Sequence, residues 1–147
     1  MKATFEKSGQ LFIVYNVYNF TTAQLASSYE LLQLLSDDIL QNNPNVPTIV
    51  LGDFNINMNK ESRSSFFLQN LMSNLDLIDS AAWFSSPHPT WRGDGNRVSS
   101  ESRLDLILSK NFDLSNLRFD LIPVPTSDHS VILLESNAYK PPPFSYL

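Results

Sequence analysis

The order of apolar segments in the first half of the chain is the feature that most constrains its fold. The runs at 11–17 and 48–54 are short and rich in β-branched residues, which is typical of buried strands. Between them, apolar residues three and four positions apart from Leu25 to Ile39 mark one face of a helix, and a second helix is predicted over 62–74. A strand, a helix, a strand and a helix in that order favour an α/β fold with helices on one face of the sheet.

The second half of the chain is predicted to hold short strands instead of helices. They are separated by Gly, Asn, Ser and Pro residues and fall at Trp91, 104–108, 119–124 and 130–135. The segment 92–102 is polar, and we expect it to be a mobile loop. Three consecutive prolines favour an extended tail over 137–147. The chain is therefore predicted to contain one domain over 1–136, followed by a Pro-rich tail.

The composition removes several functional classes. The 147 residues suit one compact domain, and the absence of cysteine excludes disulfides, thiolate nucleophiles and zinc–thiolate sites. A net charge of -5 is not typical of nucleic-acid binders, whose phosphate affinity comes from clustered Lys and Arg. No apolar run approaches the roughly 18 residues of a membrane span, and residues 1–9 lack the apolar core of a secretion signal. We therefore expect an intracellular protein without a membrane partner.

The segment Gly52-Asp53-Phe54-Asn55 directly follows an apolar strand and is the first candidate site. Side chains alternate along a strand, so Asp53 and Asn55 project in the same direction at a strand end, where α/β sheets hold their ligands. A carboxylate and an amide suit the activation of a water and the orientation of a phosphate. The alternative is a turn in which both side chains only cap the backbone.

The second candidate site is Ser127-Asp128-His129, which precedes the last apolar strand. If the Asp105 carboxylate lies next to it, His129 is an oriented imidazole whose tautomer is fixed and whose pKa is raised by that partner. The alternative is a structural histidine that only satisfies hydrogen bonds. Tyr18 is either an ordinary sheet aromatic or part of a site, depending on whether the ends of the first two strands lie side by side.

Taken in order, these segments resemble the endonuclease/exonuclease/phosphatase superfamily. The matching segments extend from about Gly9 to Glu135 and are Asn16-Val17-Tyr18, Gly52-Asp53-Phe54-Asn55, Thr90-Trp91, Arg103-Leu104-Asp105 and Ser127-Asp128-His129. Each segment is short, but their joint order and spacing are specific. The resemblance implies that the chain forms part of a four-layer α/β sandwich. It also implies hydrolysis of phosphodiesters or phosphomonoesters with Mg²⁺ or Mn²⁺.

The same resemblance gives roles to three residues at the first two strand ends. Asp53 is similar to the group that orients or deprotonates the attacking water. Asn55 is similar to a ligand of the phosphate and of the metal site, and Tyr18 to a hydrogen-bond donor to the phosphate. These residue types suit phosphate hydrolysis, which needs a directed water and neutralised phosphate oxygens.

The other roles implied by the resemblance fall in the second half of the chain. His129 is similar to the imidazole that contacts the phosphate in the transition state, and Asp105 to the carboxylate that orients this imidazole. Asp128 is similar to a carboxylate near a metal position. We therefore expect six side chains to converge on one rim of the sheet, namely Tyr18, Asp53, Asn55, Asp105, Asp128 and His129.

The resemblance covers the C-terminal portion of the family's domain. The N-terminal half of that domain contributes an early Asn and the principal metal-binding Glu. Glu6 is not a substitute, because it lies in a charged stretch before the wrong strand. We therefore expect the N-terminal part of the fold to be missing, and metal binding and catalysis by this chain to be weak.

Within the superfamily, the chain is most like the endonuclease domain of non-LTR (LINE-like) retrotransposons. A Phe/Leu-rich helix soon follows the 52–55 motif, and the segment 140–144 resembles the link between endonuclease and reverse transcriptase. This resemblance implies DNA as substrate, a nuclear location, and a partner that is the missing N-terminal half or a reverse-transcriptase domain. Two alternatives stay open: a catalytically dead remnant that binds nucleic acid or protein, and a phosphatase or phosphodiesterase acting on another substrate.

Overall fold

The computed structural model describes residues 1–93 and 100–136, apart from the side chains of Thr22 and Ser136. Its strands are β1 (Lys2–Lys7), β2 (Gln10–Tyr18), β3 (Thr48–Asp53), β4 (Ile78–Asp79), β5 (Trp91–Gly93), β6 (Ser100–Ser102), β7 (Asp105–Lys110), β8 (Leu117–Ile122) and β9 (Val131–Ser136). Its helices are α1 (Leu25–Gln41), α2 (Arg63–Asn74) and α3 (Ser80–Trp83). The tail predicted over 137–147 and the centre of the loop predicted over 92–102 lie outside the described residues.

A five-stranded sheet with the order β1-β2-β3-β7-β4 forms the centre of the fold. β2 and β3 are parallel and joined through α1, whereas the other neighbouring pairs are antiparallel. Parallel neighbours need a crossover of this kind, so the predicted strand–helix–strand order accounts for the centre of the sheet. The edge strand β1 was not predicted, because its exposed and partly charged residues give no apolar signal.

The core lies between this sheet and the two long helices. Apolar side chains of α1, α2, β2, β3 and β7 form one buried cluster, in which Leu32, Val50, Leu68 and Leu108 are fully buried. α1 and α2 also contact each other. The two long helices therefore cover the same face of the sheet, as predicted.

The two long helices differ in how their first turns are capped. Ser62, the first residue of the helix predicted over 62–74, caps α2 and forms a reciprocal capping box with Ser65. A 3₁₀ turn over Thr22–Gln24 precedes α1, which begins at Leu25 without a side-chain cap. For the same reason Leu25 does not belong to the buried face, and 42% of it is exposed.

The second half of the chain also forms two antiparallel ribbons that are separate from the central sheet. β8 pairs with β9, and β8 ends at Ile122 because Pro123 has no backbone N–H to continue the ladder. β5 pairs with β6, so the prediction of a mobile loop over 92–102 is wrong at both of its ends, where the chain forms strands. Among the described residues, no helix combines the length and the apolar character needed to cross a bilayer.

Candidate active site

Three strands meet at one rim of the central sheet and place predicted site residues side by side. Tyr18 is the last residue of β2 and Asp53 the last of β3, and the parallel register sets the two opposite each other. Asp105 opens the antiparallel β7 and lies opposite Asp53. Directly opposite residues of neighbouring strands point to the same face of a sheet. Tyr18, Asp53 and Asp105 therefore form a row, with the Tyr18 side chain largely exposed.

Gly52 permits the close approach of β2 and β3 next to this row. Its φ is +133°, which side-chain-bearing residues rarely adopt, and a Cβ built on it would lie 1.9 Å from the backbone oxygen of Val17. No other residue type fits this position without moving the backbone. The glycine before Asp53 is therefore required by the strand pairing that positions Asp53.

The turn after β3 tests the alternative interpretation of Asp53 and Asn55, in which their side chains only cap the backbone. Asp53 Oδ1 accepts a hydrogen bond of 2.8 Å from the Asn55 backbone N–H, so one carboxylate oxygen caps the turn. Asn55 has a φ of 50°, a conformation that Asn adopts more readily than most residues. Its side-chain amide donates to the Asn19 backbone oxygen at 2.7 Å. The backbone-capping role is therefore real, and the catalytic and metal roles of these residues stay predictions.

Asn19 is a supporting residue that the sequence analysis missed. It is fully buried, and its side-chain amide donates to Ser28 Oγ at 2.7 Å and to the Phe54 backbone oxygen at 2.9 Å. Its own Oδ1 accepts from the Phe20 backbone N–H. Asn19 thus connects the end of β2, the helix α1 and the turn after β3. A polar amide directly after an apolar strand is the sequence signal that points to such a residue.

His129 reaches the same rim from the segment before β9. Its ring Nδ1 lies 2.9 Å from Asp105 Oδ2, which is the pairing expected from the sequence. The backbone of His129 forms an isolated antiparallel bridge with Trp91, so β5 holds this segment against the sheet. Because Nδ1 faces Asp105, Nε2 is the ring nitrogen left to face a ligand.

The charges at the rim shift the pKa values of two of these groups. Burial raises the pKa of Asp53; the hydrogen bond from the Asn55 backbone opposes this shift, and the negative charge of Asp105 adds to it. Burial alone would lower the pKa of His129, but the hydrogen bond to Asp105 and the charges of Asp105, Asp53 and Asp128 together raise it. The site therefore favours a protonated imidazole beside a carboxylate of increased basicity.

Asp128 lies next to His129 in the chain and has an aromatic hydrogen-bond partner. Its Oδ2 accepts a hydrogen bond of 3.0 Å from the indole Nε1 of Trp91. Its backbone oxygen accepts from the Arg92 backbone N–H at 2.9 Å. The structure brings Asp128 to the edge of the site beside His129, and its role near a metal stays a prediction.

Asp53, Asp105 and His129 form a group that could hold a metal ion, with ligand atoms within 4.8 Å of one another. The two carboxylates fit a hard divalent cation such as Mg²⁺ or Mn²⁺, which prefers oxygen ligands. The imidazole fits less well, because a protonated ring cannot coordinate and its raised pKa favours that form. Within the described part of the chain, no Glu joins the group, and Glu6 lies opposite Leu11 at the far end of β2.

A buried ion pair beside the rim was also missed by the sequence analysis. Arg103 Nη1 lies 2.6 Å from Asp79 Oδ2, and both side chains are buried. Arg103 Nε donates to Asn59 Oδ1, and Asp79 Oδ1 caps α3 through the Ala81 N–H. The pair thus fastens the segment before β7 to the loop after β3 and to α3. Patterns of apolar residues contain no information on such a pairing.

Replacing Arg103 with Met should lower the free energy of unfolding by about 3 kcal/mol, because the buried Asp79 carboxylate would lose its countercharge. Urea unfolding followed by circular dichroism measures this loss. Arg118→Met is the matched control, since Arg118 pairs with Glu135 and Asp120 on the surface and its loss should cost less than about 1 kcal/mol. Equal losses in the two variants would contradict a structural role for the buried pair.

The sequence of the chain matches one known family over most of its length. The model of the endonuclease/exonuclease/phosphatase family matches residues 8–129, which include every residue of the row and His129. The chain belongs to this family. Among curated proteins, no sequence matches the chain significantly. Family membership confirms the α/β fold class expected from the sequence.

Solved structures of the endonuclease/exonuclease/phosphatase fold superpose on most of the chain. The endonuclease domain of TRAS1, a telomere-specific non-LTR retrotransposon, matches with a TM-score of 0.72 at 14% identity over 93% of this chain. TDP2 from D. rerio, solved with a single-strand DNA product, matches with 0.63 at 17% identity over 89%. A family protein from Leptotrichia buccalis matches with 0.66 at 17% identity over 92%. This chain spans 63%, 58% and 52% of those three chains, respectively.

Proposed function

We propose that this chain carries the Asp–His part of a metal-dependent phosphodiesterase site, and that the enzyme is a retroelement-type DNA endonuclease. The observation that carries the proposal is the convergence of Asp53, Asp105 and His129 at one rim, from three separate segments of the chain. A basic carboxylate next to a carboxylate–imidazole pair supplies the proton transfer and charge stabilisation that phosphate hydrolysis requires.

In the proposed reaction a water attacks the phosphorus atom opposite the leaving oxygen. The bond between phosphorus and the leaving oxygen breaks, and that oxygen takes a proton from solvent. Asp53 accepts a proton from this water, and its raised pKa makes it a better base than an exposed carboxylate. His129 presents its Nε2 proton to a phosphate oxygen on which negative charge develops, while Asp105 holds the ring at Nδ1. Tyr18 lies opposite Asp53 and donates a hydrogen bond to the same phosphate.

Mg²⁺ or Mn²⁺ would be held beside Asn55 and Asp128, with the carboxylates of the rim supplying further negative charge. When bound, such an ion neutralises phosphate oxygens and so lowers the electrostatic repulsion that opposes attack by a nucleophile on the phosphorus atom. The described residues contribute few anionic ligands, and Mg²⁺ gives up its waters reluctantly. We therefore expect weak metal binding by this chain and stronger binding when the N-terminal half of the family's domain is supplied.

The choice of DNA as substrate rests on likeness to the TRAS1 endonuclease domain and to TDP2 with a DNA product. The net charge of -5 provides no general attraction to nucleic acid, so binding would depend on the site itself and on partner segments. A reverse-transcriptase domain is the partner that the retroelement assignment predicts, and the nucleus is the compartment in which such an enzyme meets its target.

A plasmid-nicking assay in millimolar Mg²⁺ or Mn²⁺ tests the proposal. We expect slow conversion of supercoiled to nicked plasmid by the chain alone, no conversion with a chelator, and faster conversion when the N-terminal half of the TRAS1 endonuclease is added. The chain contains two histidines, so His88→Ala is a control for His129→Ala. His88→Ala should nick as fast as the unchanged protein.

Three other outcomes would overturn parts of the proposal. DNA binding without any nicking, with or without the added half, would favour a dead remnant that binds nucleic acid. Hydrolysis of a small phosphomonoester or of bis(p-nitrophenyl) phosphate without nicking would favour a non-nucleic-acid substrate. Nicking that persists unchanged after both Asp53→Ala and His129→Ala would show that the chemistry occurs elsewhere on the chain.

A further inference from the structure

Thr90 is a buried residue whose side chain has an unusual set of partners. Its Oγ1 accepts two backbone hydrogen bonds, from the Leu104 N–H at 3.1 Å and from the Asp105 N–H at 3.0 Å. Both amides lie at the start of β7, where Asp105 is opposite the last residue of β3. One hydroxyl group therefore fixes the point at which the Asp105 side chain leaves the sheet.

The backbone of Thr90 is bound to the segment that carries the imidazole. Its carbonyl oxygen accepts a hydrogen bond of 2.7 Å from the Ser130 N–H, directly after His129. The next residue, Trp91, bridges His129 through the backbone and binds the Asp128 carboxylate through its indole. Thr90 thus holds Asp105 with its side chain and the His129 segment with its main chain.

The two partners of the Asp105–His129 hydrogen bond come from different elements of the fold. β7 belongs to the central sheet, and the segment around His129 lies between the two strands of the β8–β9 ribbon. The 2.9 Å contact between Asp105 Oδ2 and His129 Nδ1 needs both backbones to be fixed relative to each other. Thr90 is the residue that hydrogen-bonds to both backbones next to this contact.

We propose that Thr90 is a positioning residue that sets the geometry of the Asp105–His129 pair. The inference rests on the proposed function for its importance to catalysis, but the geometric claim is independent of that function. Thr90 touches neither phosphate nor metal in this assignment. It acts by accepting hydrogen bonds from the Leu104 and Asp105 amides. These bonds fix the backbone from which the Asp105 carboxylate reaches the imidazole.

Two substitutions at Thr90 distinguish the effect of losing the hydroxyl group from the effect of losing a methyl group. Thr90→Val keeps the shape but removes the acceptor, so the amides of Leu104 and Asp105 lose their partner. Thr90→Ser keeps the acceptor and removes only a methyl group. Thr48→Val is the matched control, because Thr48 is also buried, lies at the far end of β3, and donates to the Val46 backbone oxygen.

Two NMR measurements at one fixed pH test the inference. Exchange of the Leu104 and Asp105 amide protons should be about tenfold faster or more in Thr90→Val, because an unsatisfied amide opens more easily. Long-range ¹H–¹⁵N spectra should show that the His129 Nδ1 signal loses the shift of a hydrogen-bonded N–H. Thr90→Ser should keep both properties, and so should Thr48→Val at a similar loss of stability. The chain's other histidine is assigned by His88→Gln.

A folded Thr90→Val protein with an unchanged His129 Nδ1 signal would overturn the inference, as would identical changes in Thr48→Val. If Thr90→Val does not fold, Thr90→Ala replaces it, because the smaller side chain leaves space for a water. The amide exchange and the His129 Nδ1 signal are then measured in that variant. Nicking assays on the same proteins separate the two proposals. An NMR change in a chain that never nicks refutes only the proposed function, whereas nicking with an unperturbed imidazole in Thr90→Val refutes only the positioning role.

Discussion

Replacing Gly52 with Ala should lower the free energy of unfolding by about 3 to 5 kcal/mol, and it should also prevent the site from forming. The new Cβ would lie 1.9 Å from the Val17 backbone oxygen, so β2 and β3 would have to separate. The φ of +133° adds backbone strain for any residue with a side chain. The loss would fall on the central parallel pair of the sheet, where Tyr18 and Asp53 lie opposite each other.

Gly9→Ala is the matched control for this prediction. Gly9 also has a positive φ, of +77°, but no atom lies within 4 Å of the position of its Cβ. At Gly9 only the strain of the positive φ lowers the free energy of unfolding, by about 1 kcal/mol. Urea unfolding of both variants measures the difference. A Gly52→Ala protein no less stable than Gly9→Ala would show that β2 and β3 approach less closely than described.

Replacing His129 with Ala should reduce the rate of phosphodiester cleavage by about 10² to 10⁴-fold, the range for loss of a positioned acid–base group. Asp105→Asn should give a smaller loss, because the imidazole stays in place without its negative partner. The measurement is the initial rate of plasmid nicking at saturating Mn²⁺ with the N-terminal half supplied. Equal rates for His129→Ala and the His88→Ala control would remove the imidazole from the mechanism.

The pH dependence of the same rate follows from the raised pKa values of Asp53 and His129. Asp53 must be deprotonated to act as a base, so the rate falls as the pH drops through its raised pKa. His129 must be protonated, so the rate falls as the pH rises through its raised pKa. Asp105 contributes to raising both values, so Asp105→Asn should move both limbs of the profile to lower pH. A profile that keeps its alkaline limb in Asp105→Asn would contradict the assignment of that limb to His129.

The sequence predicted the parts of this fold that depend on local patterns. Apolar runs and helical spacing located β2, α1, β3 and α2, because burial of one face repeats with the period of the element. The same reasoning failed at Leu25 and at β1, where a 3₁₀ turn and an exposed edge leave no periodic signal. Asp53 and Asn55 lie close together after β3, but period-two spacing does not describe the pair, because β3 ends at Asp53 and Asn55 has a φ of 50°.

The pairing of distant residues was less accessible to sequence reasoning. The contact between Asp105 and His129, 24 positions apart, was expected only through resemblance to a family. The Arg103–Asp79 pair, the buried Asn19 and the two-sided role of Thr90 were not predicted. Each depends on which elements become neighbours in space, and residue type alone does not encode that choice.

The long-range register of β3 and β7 has a consequence for the order of events in folding. β2, α1 and β3 form a local unit, but Asp53 gains its neighbour only when Asp105 has paired across the sheet. His129 follows later still in the chain, and contacts of this kind form slowly because a long loop must close first. During synthesis, β2, α1 and β3 are therefore made before the segments that carry Asp105 and His129. The row of Asp53 and Asp105 and its contact with His129 would assemble only after the segment between β8 and β9 has left the ribosome.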